Sequence, residues 1–199
     1  MEYIFLIVIL IFSVVIHEVA HGSVAYYLGD PTAKYAGRLT LNPIKHLDPI
    51  GSVFLPIILV LIQSPIILGW AKPVPVNPRN FRDQKYGSVK VSLAGPLANL
   101  GVALIFGLAL RFINLPLSLT AMFAYIVLIN IVLAVFNLIP IPPLDGSHIL
   151  FAFLPYSAQK IKFFLRQFGM FLIIFVIFFG FQYISFAVSW LFSLITGLT

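Results

Sequence analysis

Apolar residues run through five stretches of this chain, 4–28, 50–69, 88–112, 119–138 and 167–196, with polar and proline-rich sequence between them. Runs of this kind approach or exceed the ~20 residues that a helix needs to cross a bilayer. The first run predicts a helix ended by Gly29-Asp30-Pro31, where glycine suits the C-cap and proline cannot continue. Residues 32–49 are mixed polar with turn signals, and Arg38-Leu39-Thr40-Leu41 alternates as a short strand does. The second run is broken by Pro56, Gln63 and Ser64-Pro65. Trp70 to Pro78 carries prolines at alternating positions, which predicts extended, edge-strand or polyproline-like chain. The runs 88–112 and 119–138 are clear spans; the first contains Gly95-Pro96-Leu97-Ala98-Asn99, and the second ends in Asn137 followed by a break through Asp145-Gly146. A basic segment, Lys160 to Arg166, precedes the last long span, 167–196.

Composition turns these runs into a class. The 199 residues are 61% hydrophobic and 9% charged, against ~25% charged in a soluble domain. An integral membrane protein follows, read as one membrane-embedded domain over 1–199, since no polar stretch is long enough to build a second. A net charge of +6 would suggest nucleic acid in a soluble protein. Here the basic residues lie in loops, where they set orientation and meet anionic headgroups of the lipid bilayer, and no nucleic-acid partner is expected. The absence of cysteine excludes disulfides and thiolate metal sites. The first run has no basic leader or small-residue cleavage site and reads as a retained span.

Charge also counts the crossings. If 50–69 does not cross, eleven of the twelve Lys and Arg fall on one side and Arg111 alone on the other; if it does cross, the split is eight against four. The positive-inside rule favours the first arrangement. The predicted fold is therefore an all-α polytopic protein of the cell membrane. It has four full spans, 4–28, 88–112, 119–138 and 167–196, and an inserted region, 32–87, holding a re-entrant or surface hairpin with short strand segments. Both termini lie outside, and the basic loops and the site described next lie toward the cytoplasm.

Of the six acids, Glu2, Asp30, Asp48 and Asp83 lie at the terminus or in loops, whereas Glu18 and Asp145 lie in apolar surroundings. Ionisable groups within the membrane cost ~2.5–3.5 kcal/mol on insertion scales and point to function. His17-Glu18-Val19-Ala20-His21 places two imidazoles one turn apart on one helix face with a carboxylate beside them. That is the ligand pair and general base of a zinc peptidase helix. Catalytic zinc takes three protein ligands and keeps one position for water. Asp145 leads as the third, aimed by a segment broken at Pro140, Pro142, Pro143 and Gly146, with His148 as the rival. Glu18 is the candidate base for the water. Asn137 is preferred over Asn130 as donor to the developing oxyanion; for both, and for Asn99, an interhelical hydrogen bond is the other reading. His46 and Asp48 read as loop residues at the membrane edge.

The His17–His21 motif, Gly95 to Asn99, and the stretch from Asn137 to Leu144-Asp145-Gly146 together resemble the site-2 protease family of intramembrane zinc metalloproteases. The resemblance implies that His17, His21 and Asp145 bind one zinc ion and that Glu18 is the catalytic acid/base. It implies a zinc endopeptidase that cleaves transmembrane segments of membrane-bound regulators, so the expected partner is a single-span membrane protein. A PDZ-like insert and a nucleotide-sensing appendage are absent from the residues in hand, which look like a minimal form. An extended substrate needs a strand edge to hold it, and Arg38–Leu41 or Lys72–Val76 is expected to supply one. A catalytically inactive membrane scaffold, a transporter and a membrane hydrolase of small amides or lipids are the competing classes.

Overall fold

A computed structural model describes residues 2–54, 58, 61, 62 and 71–198. Helix α1, Glu2–Tyr27, ends at Gly29, whose φ of 107° lies in the left-handed region expected of a C-terminal stop. A single turn, α2 (Thr32–Tyr35), and a 3-10 turn, Pro43–His46, follow; the side chain of Asn42 caps the latter by accepting from Ile44 N. A π-helical stretch spans Pro49–Phe54. Extended chain from residue 71 contains the 3-10 turn Pro78–Asn80 and leads into α3, Gly87–Phe112. Helices α4 (Leu117–Asn137), α5 (Asp145–Phe153), α6 (Gln159–Phe179) and α7 (Phe181–Thr196) complete the chain.

Four of these, α1 from Ile4, α3, α4 and α6, are long and apolar enough to cross a membrane. Their outward residues are apolar, as in Ile7 on α1, Ile105 on α3 and Phe171 and Phe178 on α6, all exposed. Such a surface suits lipid and not water, and the protein is a multi-pass membrane protein.

Helix α3 is the central element, packing against α1, α4, α5 and α7. Ala103, Val127, Ile131, Val188 and Ile195 form the core between α3, α4 and α7. At the opposite end of α3, Ala25, Leu28, Phe81 and Val91 pack the extended segment onto the end of α1 and the start of α3. Hydrogen bonds order the levels: His21 meets Val91, whereas His17 and Ser13 meet Asn99, so α1 and α3 run antiparallel. Asp145 returns to the level of the two histidines.

Four expectations need correction or bounding. Arg38–Leu41 is not a strand, and no strand occurs among the described residues. The backbone groups that would pair are used locally, since Arg38 N donates to Ala33 O and Thr40 O accepts from His46 Nε2, each at 2.9 Å. Residues 71–77 are extended without pairing: Lys72 N donates to His46 O at 2.9 Å and Val74 N to Glu18, and Pro73 and Pro75 have no N–H to offer. The expected single span 167–196 is two helices. Helix α6 starts earlier, at Gln159, and takes in the basic segment; α7 starts at Phe181. Gly180 stands at the break, where the turn requires a residue without a Cβ, since one there would sit 2.7 Å from Val176 O. Of the predicted hairpin at 50–69, most lies outside the described residues, and so does the question of whether it crosses.

Asp30, read from sequence as a loop acid, is fully buried. Its carboxylate accepts from Thr32 N and Oγ1, from Asn77 N at 2.6 Å and from Asn80 Nδ2 at 2.8 Å, and Arg82 N donates to Leu28 O at 2.8 Å. These bonds strap the 71–82 segment against the end of α1, below the histidines.

Candidate metal centre

Helical spacing puts His17 and His21 on one face of α1, and both rings are buried. The rings meet edge to face, 4.6 Å between centroids at 85°. Helix α4 ends at Asn137, the chain turns through 138–144, and α5 begins with Asp145. A carboxylate there sits against the positive end of the helix dipole. Asp145 Oδ2 lies 3.1 Å from His17 Nε2 and 3.2 Å from His21 Nε2, and the two Nε2 atoms are 3.0 Å apart. The three donor atoms form a nearly equilateral triangle. Tetrahedral zinc, with bonds of ~2.0–2.1 Å, sets its ligands ~3.3 Å apart.

Three observations show that a metal fits. His21 Nδ1 gives its hydrogen to the Val91 carbonyl at 2.6 Å, so its Nε2 turns a bare lone pair inward. Asp145 Oδ2 is buried and accepts no hydrogen bond although both imidazoles face it. Lone pairs crowded in this way repel unless a cation lies among them. Third, α3 leaves room: a Cβ on Gly95 would stand 2.4 Å from His21 Nε2 and 2.6 Å from His17 Nε2, where ligand-bound metal needs space. His17, His21 and Asp145 are the only such group among the described residues.

The donors open onto a cavity of about 360 Å³. Glu18 lines it, with Oε2 accepting from Val74 N at 2.7 Å. His148 also lines it but is exposed and stands outside the donor triangle, so the two candidates for third ligand part here in favour of Asp145. Asn137 faces the cavity, with its Nδ2 donating to Leu133 O of its own helix at 2.9 Å. Asn130 does not line it: fully buried, it bonds Ser13 Oγ and Ile126 O, each at 2.9 Å. Asn99 accepts from His17 Nδ1 at 2.7 Å. A larger cavity, about 420 Å³ between α4 and α7, is lined by Ala121, Leu128 and Phe192 among others and holds no acid or histidine.

Sequence reasoning left three contributors unassigned: Val74, Gly95 and Ser13. Gly95 and Asn99 stood in the motif 95–99, four residues apart on one face of a span, which was the available signal. A backbone N–H such as that of Val74 leaves no trace in residue identity.

The peptidase family M50 model matches residues 115–179. The chain is 43% identical over 155 residues, 73% of its length and 67% of the relative's, to a Bacillus subtilis (strain 168) protein named "Putative zinc metalloprotease YwhC". The chain belongs to peptidase family M50, the site-2 proteases. Two further relatives are each named "Putative zinc metalloprotease Rip2" and are each 32% identical. That of Mycolicibacterium smegmatis aligns over 81% of this chain and 62% of its own length, and that of Mycobacterium tuberculosis (strain ATCC 25618 / H37Rv) over 67% and 51%. The chain thus spans two thirds of YwhC and about half to three fifths of the Rip2 proteins. No solved structure matches. A metalloprotease family and a converging His-His-Asp donor set agree with each other.

Proposed function

We propose that this M50 protein is an intramembrane zinc endopeptidase that hydrolyses peptide bonds in or near transmembrane segments of membrane-bound proteins, single-span regulators being the expected substrates. The observation that carries the reading is the convergence of Asp145 on His17 and His21 beside Glu18, the last three on a helix apolar enough to cross a bilayer.

In this reading His17, His21 and Asp145 hold the ion. Bound zinc would polarise the scissile carbonyl and lower the pKa of the attacking water. Glu18 takes a proton from that water and passes it to the leaving amine, so that water and one amide become a carboxylic acid and an amine. The Val74 N–H fixes one Glu18 oxygen, and the other is assigned the proton. Asn137, at the cavity wall, donates to the oxyanion through its amide. The basic loops and the site face the cytoplasm, and both termini lie outside.

Purified wild-type and Glu18→Gln protein, analysed for zinc and incubated with a panel of single-span substrates, test the proposal. The variant should keep one zinc per chain and lose about 10²–10⁴-fold in cleavage rate. Equal cleavage by both would remove Glu18 from its role. Wild-type protein that holds zinc yet cleaves nothing would favour an inactive scaffold.

A further inference from the structure

Beside the metal centre, three buried polar side chains from three helices join where apolar packing would be expected. Ser13 on α1, Asn99 on α3 and Asn130 on α4 are 3%, 0% and 0% exposed. Backbone carbonyls, which only accept, decide how the two amides are turned. Asn130 lies 2.9 Å from Ile126 O, so the atom there is its NH₂ group, and its other hydrogen reaches Ser13 Oγ. Asn130 Oδ1 therefore faces Asn99. The Asn99 atom 3.1 Å from Ser13 O must likewise be nitrogen, and it also donates to Asn130 Oδ1 at 2.8 Å. Both hydrogens of Asn99 are then used, and its Oδ1 is what meets His17 Nδ1 at 2.7 Å. An oxygen without hydrogen requires that Nδ1 carry one. His17 Nε2 is left as a lone pair pointing at Asp145 and His21.

We propose that Asn99 is a positioning residue for the metal centre: held by Ser13 O and Asn130, it keeps the hydrogen of His17 on Nδ1 and so makes Nε2 the metal ligand. The inference rests on the zinc reading above. It sets the two histidines apart, because His21 is oriented by a main-chain carbonyl that no side-chain substitution removes, whereas His17 depends on a side chain. Outer partners of metal-bound histidines typically change metal affinity ~10–100-fold when lost.

The test uses the full chain purified in detergent. Zinc affinity is measured by competition with a chromogenic chelator for wild type, Asn99→Leu and Asn99→Asp, alongside the thermal midpoint of each metal-free protein. The ring-nitrogen ¹⁵N shifts of His17 are recorded in the wild type. Asn99→Leu should bind zinc ~10–100-fold more weakly. Asn99→Asp should recover most of that loss, since a carboxylate oxygen still accepts from Nδ1, even where its midpoint falls. The wild-type spectrum should place the hydrogen of His17 on Nδ1. A purely structural role would lower the midpoints and leave zinc affinity unchanged. That result, or a His17 hydrogen on Nε2, overturns the proposal. If Asn99→Leu does not fold, Asn99→Asp and the wild-type spectrum decide. Wild-type protein that takes up no zinc fails the zinc reading itself, and the role of Asn99 falls with it, a result distinct from variants that bind as tightly as wild type.

Discussion

Single side chains set the limits of the centre. Gly95 is where α3 passes the imidazoles, and an added methyl would stand 2.5 Å from His17 Cε1 and 2.4 Å from His21 Nε2. Gly95→Ala should abolish zinc binding while leaving the helix content by circular dichroism unchanged, because alanine favours helix by ~1 kcal/mol over glycine. Retained stoichiometric zinc would show that α3 can move aside. The two candidate third ligands separate by the same measurement: Asp145→Ala should lose zinc, and His148→Ala should keep it, since only Asp145 stands in the donor triangle. At this scale the three side chains that converge were legible in the sequence, because intramembrane charge has few reasons to exist. The aiming of His17 was not, since an asparagine in a span reads equally as helix glue until its partner is seen.

Among the elements, the strap over residues 71–82 matters most for the site. It carries the N–H that holds Glu18 and is pinned through Asp30. Burial by itself would raise the Asp30 carboxyl, but hydrogen bonds from Thr32, Asn77 and Asn80 outweigh it and hold the group below its ordinary 3.8. A carboxyl depressed in the fold contributes stability that is complete above its unfolded value of ~3.9 and drains away as pH falls through the folded value. Thermal midpoints of the purified protein should therefore be flat on this account at neutral pH and decline below about pH 4, and Asp30→Ala should show less of that decline. The same substitution should cost about 1–3 kcal/mol by leaving buried donors without partners, read as a lower midpoint, and should slow cleavage through the loosened Glu18. Sequence reasoning saw the alternating prolines and expected an edge for substrate. The structure turns the available N–H groups of Lys72 and Val74 inward, which a residue pattern cannot reveal.

Orientation is a property of the whole molecule. Eleven of twelve Lys and Arg fall on one side when 50–69 does not cross. Because the chain has no cysteine, single cysteines can report sidedness cleanly. Lys85→Cys, exposed before α3, should react with an impermeant maleimide only from the cytoplasmic side, and Asn114→Cys, exposed after α3, only from outside. The reverse pattern would invert the proposed topology.

The apolar runs by themselves determined the helices α1, α3 and α4 within a residue or two, because a bilayer rewards length and hydropathy, which are additive along the chain. The spacing of His17, Glu18 and His21, with the scarcity of other acids, determined which residues to suspect. Tertiary structure decided the rest. It broke the last span at Gly180, dissolved the expected strand at 38–41, buried Asp30, and separated Asp145 from His148 and Asn137 from Asn130. Each of these turns on which groups from distant segments meet, and hydrogen-bond partners and close approaches are relations between chain segments that no single run of residues contains.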